Sequence, residues 1–344
     1  MKHDETWSDA TVDAVEYLSP TVRGIALRPL EGVRSWTVGS HIRVQVAVQG
    51  RSEVRSYSLV GLPAESRAEG VYRIAVKRAE PGRGGSRHMH ALQPGDRIAI
   101  AGPDNHFELP PPGTQPAPHL LLIAGGIGIT PIYGMALTLA ARGAPLRLLY
   151  GARDDAELVF ADRLRAVLGE RLQTFSDARG ERFALAEEIA ALPPRSMALV
   201  CGPVPLLQAV QAAWQQAGRA AADLRFETFG SSGSRPSEAF RVRVPRHGVD
   251  VIVPAERTLL DVLGDHGVEA LYDCRRGECG LCAMDIVSVQ GEVDHRDVFF
   301  SAEEKRDHRR ICVCVSRVCG GEIVLDSAWR PDASPPPSQH AAAA

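Results

Sequence analysis

The run Asp273-Cys274-Arg275-Arg276-Gly277-Glu278-Cys279-Gly280-Leu281-Cys282 places thiols at Cys274, Cys279 and Cys282, and a further thiol follows at Cys312 or Cys314. Four residues separate the first pair and two the second. C-x4-C-x2-C with a distant cysteine is the spacing of a plant-type [2Fe–2S] centre. Two irons bridged by two sulfides take four terminal thiolates. A tight loop can supply three, with Gly277 and Gly280 freeing the backbone to aim N–H groups at the sulfurs. A zinc ribbon would pair C-x2-C with a second C-x2-C, and the sequence holds no second pair. Cys312 and Cys314 are expected on one face of a strand, so spacing leaves the fourth ligand open between them.

The chain has 344 residues, room for two or three domains. Its 44% hydrophobic and 24% charged residues have the balance of a soluble globular protein. A net charge of −3 argues against a general nucleic-acid binder. Lys305-Arg306-Asp307-His308-Arg309-Arg310 mixes bases with an acid and reads as a solvated face. No apolar run approaches the ~20 residues of a membrane span, and the first residues lack the apolar core of a signal peptide. Seven cysteines, crowded toward the last third, suit reduced, iron-binding thiols. A cytoplasmic protein with no nucleic-acid and no membrane partner is expected.

The first third reads as short strands at 22–27, 41–47, 54–60, 72–77 and 97–100, punctuated by glycines, which predicts a small antiparallel barrel. Within it, Arg55-Ser56-Tyr57-Ser58-Leu59 offers a two-pronged phosphate grip, hydroxyl donors and a flat face for an isoalloxazine ring. Gly82-Arg83-Gly84-Gly85-Ser86 opens a short helix to Leu92 and offers N–H groups to a phosphate. Either segment alone also suits an ordinary edge strand or turn. His88 and His90 read as helix surface or barrel packing.

After the stiff linker Pro110-Pro111-Pro112-Gly113-Thr114-Gln115-Pro116, the apolar run 119–124 reads as a buried parallel strand. Gly125-Gly126-Ile127-Gly128-Ile129-Thr130-Pro131 then opens a helix to Arg142. This departs from G-x-G-x-x-G, because Pro131 stands in place of the third glycine. Strands at 146–150, 172–175 and 197–201 alternate with helices near 160–168 and 183–191, the pattern of a parallel sheet with helices on its faces. Ligands of such sheets sit beyond the carboxyl ends of the strands, where Cys201-Gly202-Pro203 falls. Cys201 reads either as a buried strand cysteine or as a neighbour of a nicotinamide. Phe226 and Glu227 read either as a cover for a flavin or as core. Arg153, Asp154 and Asp155 follow the 146–150 strand. An acid there favours NAD, an arginine would accept a 2′-phosphate, and the reading leans to NADH.

Beyond a Gly/Ser linker, 240–244 and 249–253 read as a hairpin, 258–266 as a helix, and 311–315 and 323–325 as final strands. From about Thr11 to Trp329 the chain resembles the phthalate dioxygenase reductase family, which includes the vanillate demethylase reductases. The resemblance rests on 55–59, 84–86, 125–131, 201–203, Phe226-Glu227 and 274–282, with Asp294-His295-Arg296-Asp297 and Cys314-Val315-Ser316-Arg317. It implies a multidomain chain: an FMN-binding β-barrel at 1–113, an α/β NAD-binding domain at 114–229, a linker at 230–238, an α+β plant-type ferredoxin domain (β-grasp) at 239–330 and a disordered tail at 331–344. It implies that Arg55, Ser56, Tyr57, Ser58, Val76, Lys77, Gly84, Gly85 and Ser86 line FMN. Thr130 would stand between flavin and nicotinamide, and Phe226 and Glu227 beside the flavin. Gly125, Gly126, Gly128, Cys201, Gly202 and Pro203 would hold the nucleotide. Cys314, which precedes Val-Ser-Arg, would join Cys274, Cys279 and Cys282 on the cluster.

The implied activity is a relay from NADH through FMN and a [2Fe–2S] cluster to a Rieske-type terminal oxygenase acting on an aromatic or other small organic compound. A nicotinamide gives up two electrons together, an iron–sulfur cluster takes one, and a flavin mediates. Alternatives are a reductase for a cytochrome P450 or another acceptor, or an electron carrier whose flavin domains are inactive. No acid or base residue is needed. Arg275, Arg276 and Glu278 read as docking surface or as loop solvation. A monomer is expected.

Overall fold

The computed structural model describes residues 6–326 apart from 49, 81–83, 112, 114–118, 230–234 and 236. The expected tail, most of both linkers, and Gly82 and Arg83 therefore lie outside the described residues. The chain divides into two compact units, Met1–Phe229 and Gly230–Ala344.

Unit one begins with β1 (Trp7–Tyr17), β2 (Val22–Pro29), β3 (His41–Val48), β4 (Arg51–Ser58), helix α1 (Pro63–Glu69), β5 (Tyr72–Lys77), α2 (Gly85–Ala91) and β6 (Arg97–Asp104). Among the described residues these strands form one antiparallel sheet, ordered β4-β3-β6-β1-β2-β5. The expected barrel is thus a half-barrel, with β4 and β5 as its ends. Alternation fills it: Ile42, Val44, Val46 and Val48 of β3 are all buried. Two elements escaped the sequence reading. β1 carries Asp9, Thr11 and Asp13 between its apolar positions, and α1 starts at Pro63, where proline's fixed φ suits a first turn.

Next come β7 (Leu120–Gly125), α3 (Ile129–Ala141), β8 (Leu146–Ala152), α4 (Ala161–Leu168), β9 (Leu172–Ser176), α5 (Leu185–Ala190), β10 (Met197–Cys201), α6 (Val204–Gln216) and β11 (Leu224–Glu227). The sheet is parallel, ordered β9-β8-β7-β10-β11. Strand order reverses between β7 and β10, the position at which doubly wound sheets bind ligands. β7 is buried at every position, because helices cover both faces. The half-barrel shares its core with this sheet: Val38, Val60, Ala75 and Phe107 cluster with Leu122, Ile132 and Met135.

Unit two holds β12 (Phe240–Val244), β13 (Val249–Val253), α7 (Leu259–Asp265), β14 (Ala283–Asp294), α8 (Ala302–Asp307), β15 (Arg310–Cys312) and β16 (Arg317–Asp326). The mixed sheet runs β13-β12-β16-β14-β15, with β12 and β16 parallel. Leu259, Leu260, Val262 and Leu263 of α7 seal its core. The Thr258 hydroxyl starts α7 by accepting from the Asp261 N–H at 3.1 Å. The strand expected at 311–315 ends at Cys312. Its carbonyl turns back to accept from the N–H groups of Val315 (3.3 Å) and Ser316 (3.0 Å). Cys314 therefore sits in a turn and not on a shared strand face with Cys312. Among the described residues no helix is long and apolar enough to cross a membrane.

Candidate functional site

Along β4, Arg55 and Tyr57 share one face, and Ser56 and Ser58 the other. Arg55 donates to the Val54 carbonyl at 2.9 Å and pairs with Glu53 at 2.5 Å. Tyr57 packs on the half-barrel core, and burial raises its phenol well above the usual range. Ser58 is buried and donates to Glu227 at 3.3 Å, which joins β4 to the end of β11. Glu227 is buried and Phe226 half-buried, paired in register with Cys201 and Val200. Val76 is buried on β5, and its carbonyl accepts from His90 Nε2 at 2.8 Å. That bond gives His90 a packing role. Ser86 accepts from the Ala79 N–H at 3.1 Å. Gly84 precedes α2. A Cβ on Gly85 would stand 2.7 Å from Nε of Arg55. The arginine motif and the glycine motif, thirty residues apart, thus meet. A guanidinium beside bare glycine backbone is a donor set that fits a phosphate.

β7 ends at Gly125, a short 3-10 turn spans Gly126–Gly128, and α3 follows. Thr130 is buried, and its hydroxyl donates to the Ile127 carbonyl at 3.0 Å. A Cβ on Gly128 would lie 2.2 Å from the Cys201 carbonyl oxygen, and one on Gly125 2.8 Å from Pro203. The 125–128 loop and Cys201-Gly202-Pro203 therefore touch at the switch point. Cys201 is fully buried. β5 packs against the Gly126–Gly128 turn, so the strand bearing Val76 and Lys77 borders the glycine loop.

One residue at this junction was not anticipated. Glu157, 7% exposed, accepts from Lys77 (2.8 Å), Thr21 (2.6 Å) and Ser19 (3.1 Å), all from the half-barrel. Its partners lie 80 to 138 residues away, so local sequence carried no signal. Burial pushes its carboxyl up, but the hydrogen bonds from Lys77, Thr21 and Ser19 outweigh that and hold it below the usual range. Glu157→Gln is expected to cost about 2 kcal/mol at pH 7, less than the ~3–5 kcal/mol of a fully buried pair because the Lys77 side chain is 29% exposed. A depressed carboxyl stabilises above its unfolded value and stops doing so as pH falls through the folded one. The gap between parent and variant in urea denaturation should therefore close below about pH 4.

In unit two the cysteine loop is shaped by Gly277 and Gly280, at φ +73° and +72°. The N–H groups of Arg276, Glu278 and Cys279 each donate to Cys274 Sγ at 3.4 Å. Cys274 and Cys279 hydrogen-bond to each other. Cys312 and Cys314 hydrogen-bond to Cys282 and push it down to about 4. Burial and these bonds push Cys312 and Cys314 up. Cys314 also senses Cys274 and bonds to the backbone of Gly277. Cys312 faces Cys282, Cys314 and Asp297. Clustered thiols with N–H groups aimed at sulfur fit a cluster that needs thiolates. Among the described residues no three His, Cys, Asp or Glu side chains surround one point for a single metal ion. A two-iron cluster takes two thiolates per iron and needs no such point.

The loop is buttressed by Asp294-His295-Arg296-Asp297, a motif that carried the resemblance without an assigned role. Val298 N–H donates to the Gly277 carbonyl at 3.0 Å, and Ser316 donates to Asp297 at 3.1 Å. The Phe299 ring covers Gly280. Arg276 is buried, so it is not docking surface; Arg275 pairs with Asp261 at 3.0 Å and lies over Tyr272.

A half-barrel meeting a doubly wound sheet at its switch point, followed by a cysteine-loop unit, defines an electron-transferring oxidoreductase. Three family models match in this order: an oxidoreductase FAD-binding domain (10–109), an oxidoreductase NAD-binding domain (122–212) and a 2Fe-2S iron-sulfur cluster binding domain (242–319). A putative toluene-4-sulfonate monooxygenase system reductase subunit of Comamonas testosteroni is 35% identical over 92% of this chain and 98% of its own. The solved structure of phthalate dioxygenase reductase matches at TM-score 0.74 and 31% identity, over 93% of this chain and 98% of that one. An intact type IV self-sufficient cytochrome P450 monooxygenase matches at TM-score 0.64 and 32% identity, over 93% of this chain but 41% of that one. The chain belongs to the phthalate dioxygenase reductase family of modular oxygenase reductases. It is the electron-transfer component of an oxygenase system, with flavin, NAD and 2Fe-2S domains.

Proposed function

We propose that this protein takes electrons from NADH through FMN and a [2Fe–2S] cluster on Cys274, Cys279, Cys282 and Cys314, and delivers them to a Rieske-type terminal oxygenase. When bound, nicotinamide, flavin and cluster supply two-electron acceptance and one-electron delivery. The chain positions them. The observation that carries the reading is the contact between the Gly126–Gly128 turn and β5, backed by the Ser58–Glu227 bond. It sets the nucleotide loop against the strands that bear the flavin residues. Arg55 beside Gly85 holds the flavin phosphate, and Thr130 and Phe226 border the reacting rings. FMN is favoured over FAD by the resemblance to the phthalate dioxygenase reductases. NADH is favoured over NADPH because Asp154 and Asp155 follow β8, where an acid suits the ribose hydroxyls, although Arg153 stands beside them. The protein acts as a cytoplasmic monomer on 1–113, 114–229 and 239–330 as its modules.

Anaerobic reduction with NADH, followed by low-temperature EPR, tests the relay. A rhombic reduced-cluster signal is expected; bleached flavin without it would sink the reading. A haem acceptor is the second reading, favoured by the 32% identity, over 93% of this chain, to part of the self-sufficient P450. Turnover with purified Rieske oxygenases against P450s separates the two.

A further inference from the structure

Glu53 lies two residues before Arg55 on β4, so both side chains leave the same face. Its Oε2 stands 2.5 Å from Nη2 of Arg55, with the two side chains 12% and 19% exposed. Arg55 has other supports. Its second amino group donates to the Val54 carbonyl at 2.9 Å, and its Nε packs on Gly85. The arginine can therefore keep its place without the carboxylate. Yet the carboxylate occupies part of the fork that a phosphate would grip. Carboxylate and phosphate are both anions that guanidinium binds through paired N–H groups. They cannot hold the same N–H.

We propose that Glu53 is an internal competitor for the phosphate-binding arginine, lowering the affinity of the half-barrel for a phosphorylated flavin. The inference rests on the flavin reading of that domain. Two outcomes are open to the carboxylate when phosphate arrives. It gives up its partner while still largely buried, or it stays and faces a second anion across one guanidinium. Both oppose binding. Glu53 is the carboxylate that pairs with this largely buried guanidinium among the described residues. A contact that is lost when phosphate binds opposes binding by the amount it contributed.

The test uses the full chain stripped of flavin, with Glu53→Gln as the variant, near in size and neutral. Binding is read by quenching of flavin fluorescence, with FMN and with riboflavin, which lacks the phosphate. Expected is about tenfold tighter FMN binding in the variant and unchanged riboflavin binding. Unchanged or weaker FMN binding would overturn the proposal and make Glu53 a support for Arg55. An equal gain for riboflavin would overturn it too, since the effect would not involve phosphate. A parent chain that binds neither flavin defeats the flavin reading itself. Thermal denaturation of both apoproteins guards against misfolding, and Glu53→Ser, which removes the same charge with a smaller side chain, must move FMN affinity in the same direction.

Discussion

Cys314→Ser is expected to abolish the [2Fe–2S] centre, whereas Cys312→Ser keeps it. Both cysteines are buried, and both hydrogen-bond to Cys282. Their positions differ. Cys314 lies in the turn closed by the Cys312 carbonyl, where it senses Cys274 and Cys282 together and bonds to the Gly277 backbone. Cys312 ends β15, paired in register with Ala283, and lies near enough to Asp297 and Cys282 for their charges to raise it. A serine at 314 replaces a soft thiolate with a shorter, harder oxygen that suits iron–sulfide chemistry poorly. Iron and acid-labile sulfide content should collapse, and the reduced-cluster EPR signal with them. NADH-dependent ferricyanide reduction should persist, since unit one supplies it. A serine at 312 buries a hydroxyl in apolar packing at a cost of about 1–3 kcal/mol, visible in denaturation but not in iron content. The opposite pattern, iron lost only from Cys312→Ser, would reassign the fourth ligand.

That assignment shows where sequence stops being informative. The run Ile311-Cys312-Val313-Cys314-Val315 has the composition of a strand, and alternation puts its cysteines on one face. The chain turns after Cys312 because that carbonyl serves two turn N–H groups, and tertiary context overrides β-propensity. β14 was illegible for a related reason. Its middle, Ser288, Gln290, Gly291 and Glu292, is exposed, so apolar alternation fails along most of it. The parallel sheet was legible strand by strand, since every position of β7 is buried and the run is uniformly apolar. The rule for strand ends put Cys201-Gly202-Pro203 at the edge of the sheet, but its contact with Gly128 came only with the fold. Glu157 could not be found that way, because the cation that gives it significance, Lys77, is 80 residues distant. Glu53 carried a local signal that the sequence reading passed over: it lies two residues from Arg55 on one strand face.

Gly128→Ala is expected to lower NADH-driven flavin reduction about a hundredfold while sparing flavin content and the cluster signal. Gly128 has φ −60°, which any residue adopts, so backbone strain is not the reason for glycine here. The reason is close approach. An added Cβ would stand 2.2 Å from the Cys201 oxygen, 2.5 Å from its carbonyl carbon and 2.9 Å from the Gly202 nitrogen. All three are backbone atoms and cannot rotate aside. Either the Gly126–Gly128 turn or the end of β10 must shift, at about 1–3 kcal/mol of overpacking. The whole fold can absorb that; the site cannot. A displacement near 1 Å in a positioning loop costs on the order of a hundredfold in rate. Gly126→Ala makes the informative contrast. Its φ of +54° is unfavourable for alanine, at about 1–2 kcal/mol, but nothing stands within 4 Å of the added carbon. If the loop positions the nucleotide, stopped-flow reduction of the flavin should slow far more in Gly128→Ala than in Gly126→Ala, although the two cost similar stability. Parent-like rates in Gly128→Ala, with the same fold by circular dichroism, would mean that the nucleotide binds elsewhere than at the switch point between β7 and β10.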